Sequence, residues 1–250
     1  MTSFLVTQTQ CPRCKSLGND RSGDNLAVYS DGHEWCYRCG FFKGSNGVER
    51  LLLENANKAL KSSNVYLPMD SSLDYPTEAI KWIEGYELNS NHLLLNNVLW
   101  SEEEGRLIFP HYDEEGVLLA WQGRKMREGI YNRKGKWYGK GNLKDLIDLH
   151  GRSSNKLVLV EDIISAIKVG EVYQCMPLHG SFISFDRWRR VKSLIKEGVR
   201  VYVWLDKDKQ KDSVKFSRLG RAMGVDATSI ITDLDPKEYS LLRIKEILDN

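Results

Sequence analysis

No apolar run in the 250 residues approaches the roughly 20 needed to cross a bilayer, which excludes a helical membrane span. The N-terminus lacks the basic-then-apolar layout of a secretory signal, so a cytoplasmic location is expected. Neither sign of charge dominates. Lys+Arg 36 against Asp+Glu 34 leaves +2, so no global field selects a polyanion, and local clusters carry whatever preference exists. No G-x-x-x-x-G-K-[ST] phosphate loop is present, which excludes an ATP-driven motor of that type. There is no internal repeat and no low-complexity tract. Cysteine is scarce and unevenly spent: of five, four fall into two tight pairs near the N-terminus, and Cys175 stands alone as a small hydrophobe. In a cytoplasmic chain that pairing favours metal over disulfides. What remains, 41% apolar and 28% charged, is ordinary for a globular protein of one large or two small domains.

The cysteines read Cys11-Pro-Arg-Cys14 and, twenty-one residues on, Cys36-Tyr-Arg-Cys39. Each C-x-x-C turn aims two thiolates at one point, and two such turns complete the tetrahedral shell of a structural zinc site. Between them lie Gly, Asp, Ser and Asn with short strand-like pieces, as in a zinc ribbon. So small a region has little core, and metal supplies most of its folding energy. Asp31, His33 and Trp35 sit on its turn. They suit base reading or stacking, with Arg13 and Arg38 near for phosphate, or are solvated loop residues.

Two aliphatic runs end in acids: Lys156-Leu-Val-Leu-Val followed by Glu161-Asp162, and Val201-Tyr-Val-Trp-Leu205 followed by Asp206-Lys207-Asp208. Runs of this kind, separated by helical spacing, predict buried strands of a parallel sheet. Ligands gather beyond the carboxyl ends of such strands. Glu161, Asp206 and Asp208 together form a set of hard oxygen donors that suits magnesium and, through it, phosphates.

The expected fold class is α/β, in four parts. A zinc-binding ribbon (1–45) is followed by a short amphipathic helix (48–61) and linker (46–75 in all), an α+β subdomain (76–154) and a parallel-sheet domain (155–250). In the third part a helix over 77–86 and an ambiguous, helix-like 89–99 precede a hairpin over 106–124. The basic and aromatic alternation of 131–141 suits a nucleic-acid groove or an exposed loop. The fourth part alternates strands at 156–160, 174–178, 201–205 and 228–231 with helices at 163–172, 184–197, 213–223 and 242–248.

This order, with Ser30-Asp-Gly-His, Gln122-Gly-Arg124, Leu178-His-Gly180, Leu205-Asp-Lys-Asp208 and Asp235-Pro-Lys-Glu238, resembles the primase region of bacteriophage primase–helicases and, more distantly, bacterial primase. The resemblance covers nearly the whole chain. It implies a primase core whose parallel-sheet domain is a TOPRIM fold, and DNA-dependent synthesis of short RNA primers from ribonucleoside triphosphates on single-stranded DNA. It implies structural zinc, and catalytic magnesium or manganese on Glu161, Asp206 and Asp208, with Asp162, Asp235 and Glu238 as further acids. Gln122, Arg124, Lys125 and Arg133 become contacts for nucleotide or template, and Asp31, His33 and Trp35 readers of a template triplet. With no phosphate-loop motif, a stand-alone primase is expected, served by a separate helicase and DNA polymerase, with an infected bacterial cell as the setting if the chain is phage-encoded. Asp162 departs from the family, which has Gly there, and Ser165 stands where it has another acid. A nuclease using the same metal site, or a non-catalytic DNA-binding adaptor, are the competing readings.

Overall fold

The computed structural model describes residues 5–16, 20, 22–30, 32, 34–39, 42–43, 65–113, 116–131, 133 and 135–249. The helix expected at 48–61, the linker before residue 65, Asp31 and His33 lie outside them. The chain forms two compact units, Met1–Ser63 and Asn64–Asn250.

The first unit is an antiparallel sheet in the order β1 (Leu5–Thr9), β2 (Leu26–Tyr29), β3 (Glu34–Cys36) and β4 (Phe42–Lys43). A five-residue helix, α1 (Pro12–Ser16), closes the first cysteine turn. Cys11, Cys14, Leu26 and Cys36 form its buried cluster, with Cys39 packed against them. All five residues of β1 are exposed, so no apolar alternation marks it in the sequence.

In the second unit α2 (Thr77–Glu84) and α3 (Ser90–Leu95) precede an antiparallel sheet. Its strands run β5 (Leu99–Ser101), β6 (Arg106–Tyr112), β7 (Leu118–Lys125) and β8 (Trp137–Gly141), each paired with the next. The region expected as helix to residue 99 thus ends in a strand. Asn89 starts α3, its side chain and that of His92 forming a reciprocal cap, and the helix stops at Asn96, after which Asn97 takes a left-handed φ of 53°. The basic, aromatic stretch becomes β8 because a buried guanidinium gathers its approach. Arg106 donates to the carbonyls of Gly123, Arg133, Gly135 and Lys136. Residues 65–75, whose composition reads as tether, run against this sheet. Trp121 Nε1 donates to Tyr66 O, Ser72 pairs with Trp100, and Asp70 accepts from Ser101 Oγ and Glu103 N.

The parallel sheet has the order β10 (Gln174–Pro177), β9 (Lys156–Val160), β11 (Arg200–Val203) and β12 (Ala227–Ser229). Side chains alternate faces along a strand. Leu157 and Leu159 of β9 pack with Trp188 of α5 (Phe185–Leu194) and Phe216 of α6 (Gln210–Ala222). Val158 and Val160 pack with Ala166 of α4 (Ile163–Gly170) and Ile244 of α7 (Leu241–Asp249). The other side of α4, Ile163, Ile164 and Ile167, joins Trp100, Leu107 and Phe109 of the antiparallel sheet in one core. That shared core fixes the two sheets against each other. Two buried cations pin the seams: Lys168 donates to Tyr86 O and Glu87, and Arg187 to the carbonyls of Leu146, Pro177 and Leu178.

Candidate active site

The four cysteines of the first unit close on one point. Sγ separations are 3.6 Å for Cys11–Cys39 and 3.7 Å for Cys14–Cys36. Zn–S bonds of about 2.3 Å in a tetrahedron put sulfurs about 3.8 Å apart, so the cluster fits zinc. None of the four is in a disulfide, and their sulfurs lie within 4.8 Å of one another. The carboxylate of Asp20 accepts from Cys11 N at 2.7 Å and sets the first turn. Trp35, 42% exposed, stands on the surface of this unit.

In the second unit, the chain leaves β9 toward β10 and returns past it to β11, so the connection reverses between β9 and β11. Such a switch point opens a crevice at the carboxyl ends of the two strands. Glu161 follows β9 and Asp206 follows β11, and both line a cleft of about 460 Å3 with Asp162, His179, Gly180 and Lys237. Its opposite wall is the antiparallel sheet and α2: Gln122, Arg124, Trp137, Tyr138, Trp82 and Tyr86.

Burial and the neighbouring Asp206 and Asp162 push Glu161 up to about 7. Burial pushes Asp206 up to about 6 even though Lys237 pulls the other way. Glu161 Oε2 and Asp206 Oδ1 are buried acceptors without a hydrogen-bond donor among the described residues. Unpaired buried anions are costly, and a hard cation satisfies them. Asp162 is differently employed. Its Oδ1 accepts from Ile164 N and Ser165 N, both at 2.9 Å, as the N-cap of α4, and its Oδ2 meets Lys237 Nζ at 2.6 Å. Lys237 also reaches Asp206 at 3.1 Å and Asp235 at 3.4 Å. Asp235 Oδ1 accepts from Lys207 N, and Glu238 folds back onto Asp235 N. Asp208 lies on the turn after β11, exposed and paired with Lys209 at 3.2 Å. Among the described residues, Glu161, Asp206 and Asp208 do not bring three oxygens within 4.8 Å of one another.

Residues two apart on β7 share a face, and Gln122 and Arg124 both look into the cleft. The Arg124 guanidinium lies 5.0 Å from the Trp82 ring centre and 5.6 Å from that of Trp137, within cation–π reach of both. Lys125, on the other face, pairs with Glu128. Arg133 is engaged within the fold: its Nε meets both oxygens of Glu104, whose side chain is 4% exposed.

His179 and Lys237 also line the cleft; both stand in motifs the sequence offers, Leu178-His-Gly180 and Asp235-Pro-Lys-Glu238, but residue type alone gave neither a place in the site. His179 holds a left-handed φ of 53°, which turns its ring so that Nδ1 meets Gln122 Nε2 at 2.8 Å. Behind it His111 and His150 both contact Asp148, at 2.8 and 3.0 Å.

No family model matches the chain, and no curated protein matches it. Solved structures do. The zinc-binding and RNA polymerase domains of Aquifex aeolicus primase align over 100% of this chain and 80% of that one, at 13% identity and a TM-score of 0.56. The DnaG primase catalytic domain bound to ssDNA aligns over 82% and 80%, at 12% identity and 0.55. The primase fragment of the bacteriophage T7 primase–helicase covers 98% of each chain at 13% identity, with a TM-score of 0.45. At these identities the likeness concerns architecture. The chain has the fold of the zinc-binding and RNA polymerase domains of DNA primases.

Proposed function

We propose that the chain is a DNA primase, making short RNA primers from ribonucleoside triphosphates on single-stranded DNA. The observation that carries this reading is the pair Glu161 and Asp206, each with a buried, unpartnered oxygen, at the strand ends of a primase-like fold. A structure of that fold has been solved bound to ssDNA. In this reading the parallel-sheet domain is a TOPRIM domain. A magnesium or manganese ion on Glu161 and Asp206, joined by Asp208, would neutralise the triphosphate and ease loss of pyrophosphate.

The chain's own residues do the rest. Arg124, in cation–π contact with Trp82 and Trp137, offers a cation for phosphate oxygens beside aromatic side chains for a base. The contact from Gln122 orients the His179 ring in the cleft wall. The Asp162 cap and the Asp235–Glu238 turn hold the acidic edge rigid, so the reacting groups meet positioned charges. The zinc unit reads the template, with Asp31, His33 and Trp35 as its reading residues.

The test is ribonucleotide incorporation on a library of template trinucleotides with magnesium, for the wild type, His33→Ala and Asp206→Asn. Product with the wild type, altered triplet preference with His33→Ala and none with Asp206→Asn support the reading. Template cleavage without product growth would make the protein a nuclease.

A further inference from the structure

We infer that the Lys237 ammonium is one of the two cations of the acidic edge, so that the site takes a single divalent ion where its carboxylates would otherwise hold two. The inference rests on the metal reading of the proposed function and adds a stoichiometry to it.

Lys237 Nζ is placed as an ion is placed. An ammonium has three N–H donors and no acceptor. Here the ammonium meets three carboxylates, Asp162 at 2.6 Å, Asp206 at 3.1 Å and Asp235 at 3.4 Å. Its side chain is 14% exposed, so the charge is withdrawn from solvent and depends on those partners. The base of the side chain is fixed as well. Lys237 lies in a 3-10 turn, Pro236–Glu238, closed by reciprocal capping between Asp235 and Glu238 and tied to the β11 loop by Lys207 N. Nothing in that arrangement is a loose surface lysine that happens to touch acids.

Asp206 is the link between two cation positions. Its Oδ2 belongs to Lys237, while its Oδ1 is buried and unpartnered, as is Glu161 Oε2 on the neighbouring strand end. A carboxylate that gives one oxygen to each of two cations is the bridging ligand of paired-metal phosphoryl-transfer sites. One side of the bridge is neutralised here by a covalently attached charge of +1. The other side keeps the Glu161 charge uncompensated, since its Oε2 is buried with no donor among the described residues. The attached cation cannot dissociate, so one of the two positions is filled at any metal concentration.

The test counts manganese, which electron paramagnetic resonance reads directly as loss of the free-ion signal, on the zinc-loaded full chain. The wild type is expected to bind one Mn2+ per chain. Lys237→Gln, which keeps a polar side chain but removes the charge, is expected to bind two, and Lys237→Arg one. Circular dichroism checks that each variant is folded, and the wild-type count decides even if a variant is not. Two ions on the wild type, or one on a folded Lys237→Gln, would overturn the inference and leave the catalytic-metal reading standing. No ion on either protein would remove that reading, and the inference with it.

Discussion

Asp162 does two jobs with its two oxygens, and replacing it can separate them. Oδ1 caps α4 through Ile164 N and Ser165 N, and Oδ2 holds Lys237. Asp162→Asn keeps a capping oxygen, since Asn and Asp are equally good N-caps. It turns the second oxygen into an amide that faces the ammonium with donors. Breaking a buried ion pair costs about 3–5 kcal/mol. Two other carboxylates still hold Lys237 here, and Asp162 retains some exposure, so a cost of about 1–2 kcal/mol is expected. Asp162→Ala also loses the cap, adding about 1 kcal/mol. In a domain of this size each kcal/mol lowers the Tm by about 2–4 °C. Urea unfolding followed by tryptophan fluorescence would measure both variants, and a double-mutant cycle with Lys237→Gln would isolate the pair, with a coupling of about 1–2 kcal/mol expected. Asp162→Asn as stable as the wild type, or Asp162→Ala no worse than Asp162→Asn, would refute this division of labour.

Cys36→Ser is expected to take bound zinc from one per chain to none, measured by metal analysis, while the melting of residues 64–250 is unchanged. Arg124→Lys keeps the charge but loses the planar guanidinium beside Trp82 and Trp137. Nucleotide affinity is expected to fall about tenfold, worth ~1.4 kcal/mol, with a stability change under about 1 kcal/mol. Asp148 is held below the usual carboxylate range: burial opposes this, but hydrogen bonds from His111 and His150 prevail. A carboxylate lowered on folding contributes stability above its unfolded pKa of about 3.9 and loses it as pH falls through the folded value. Asp148→Asn is therefore expected to cost about 2 kcal/mol at neutral pH, with the gap to the wild type closing below about pH 4 in urea titrations.

The parallel-sheet half was legible because its strands are continuous buried runs, as in Leu157 to Val160, and its helices carry apolar periodicity. The cysteine cluster was legible because spacing alone sets where thiolates point. β1 was not, since all its residues are exposed and only pairing with β2 makes it a strand. β5 likewise depends on β6, a partner that local propensity does not show. At the site, the acids could be read because they end strands, but charge partners could not. Arg133 meets Glu104, 29 positions away in the chain, and Lys237 meets Asp162, 75 away. Residue type alone offered Arg133 to phosphate and gave Lys237 no role, whereas the fold commits both to carboxylates. His179 stood in a noticed His-Gly turn, and only the positive φ reveals that its ring is turned into the cleft wall.

The most direct measurement is dinucleotide formation from ribonucleoside triphosphates on single-stranded DNA with magnesium, comparing the wild type with Asp206→Asn. Asp206 contributes one buried oxygen to the cleft and one to Lys237, so its loss removes the ligand on which the acidic edge turns. Product from the wild type and a fall of at least about a hundredfold in Asp206→Asn, with zinc content and fold retained, is the expected result. Wild-type product that persists undiminished in Asp206→Asn would contradict the claim that this edge performs nucleotidyl transfer.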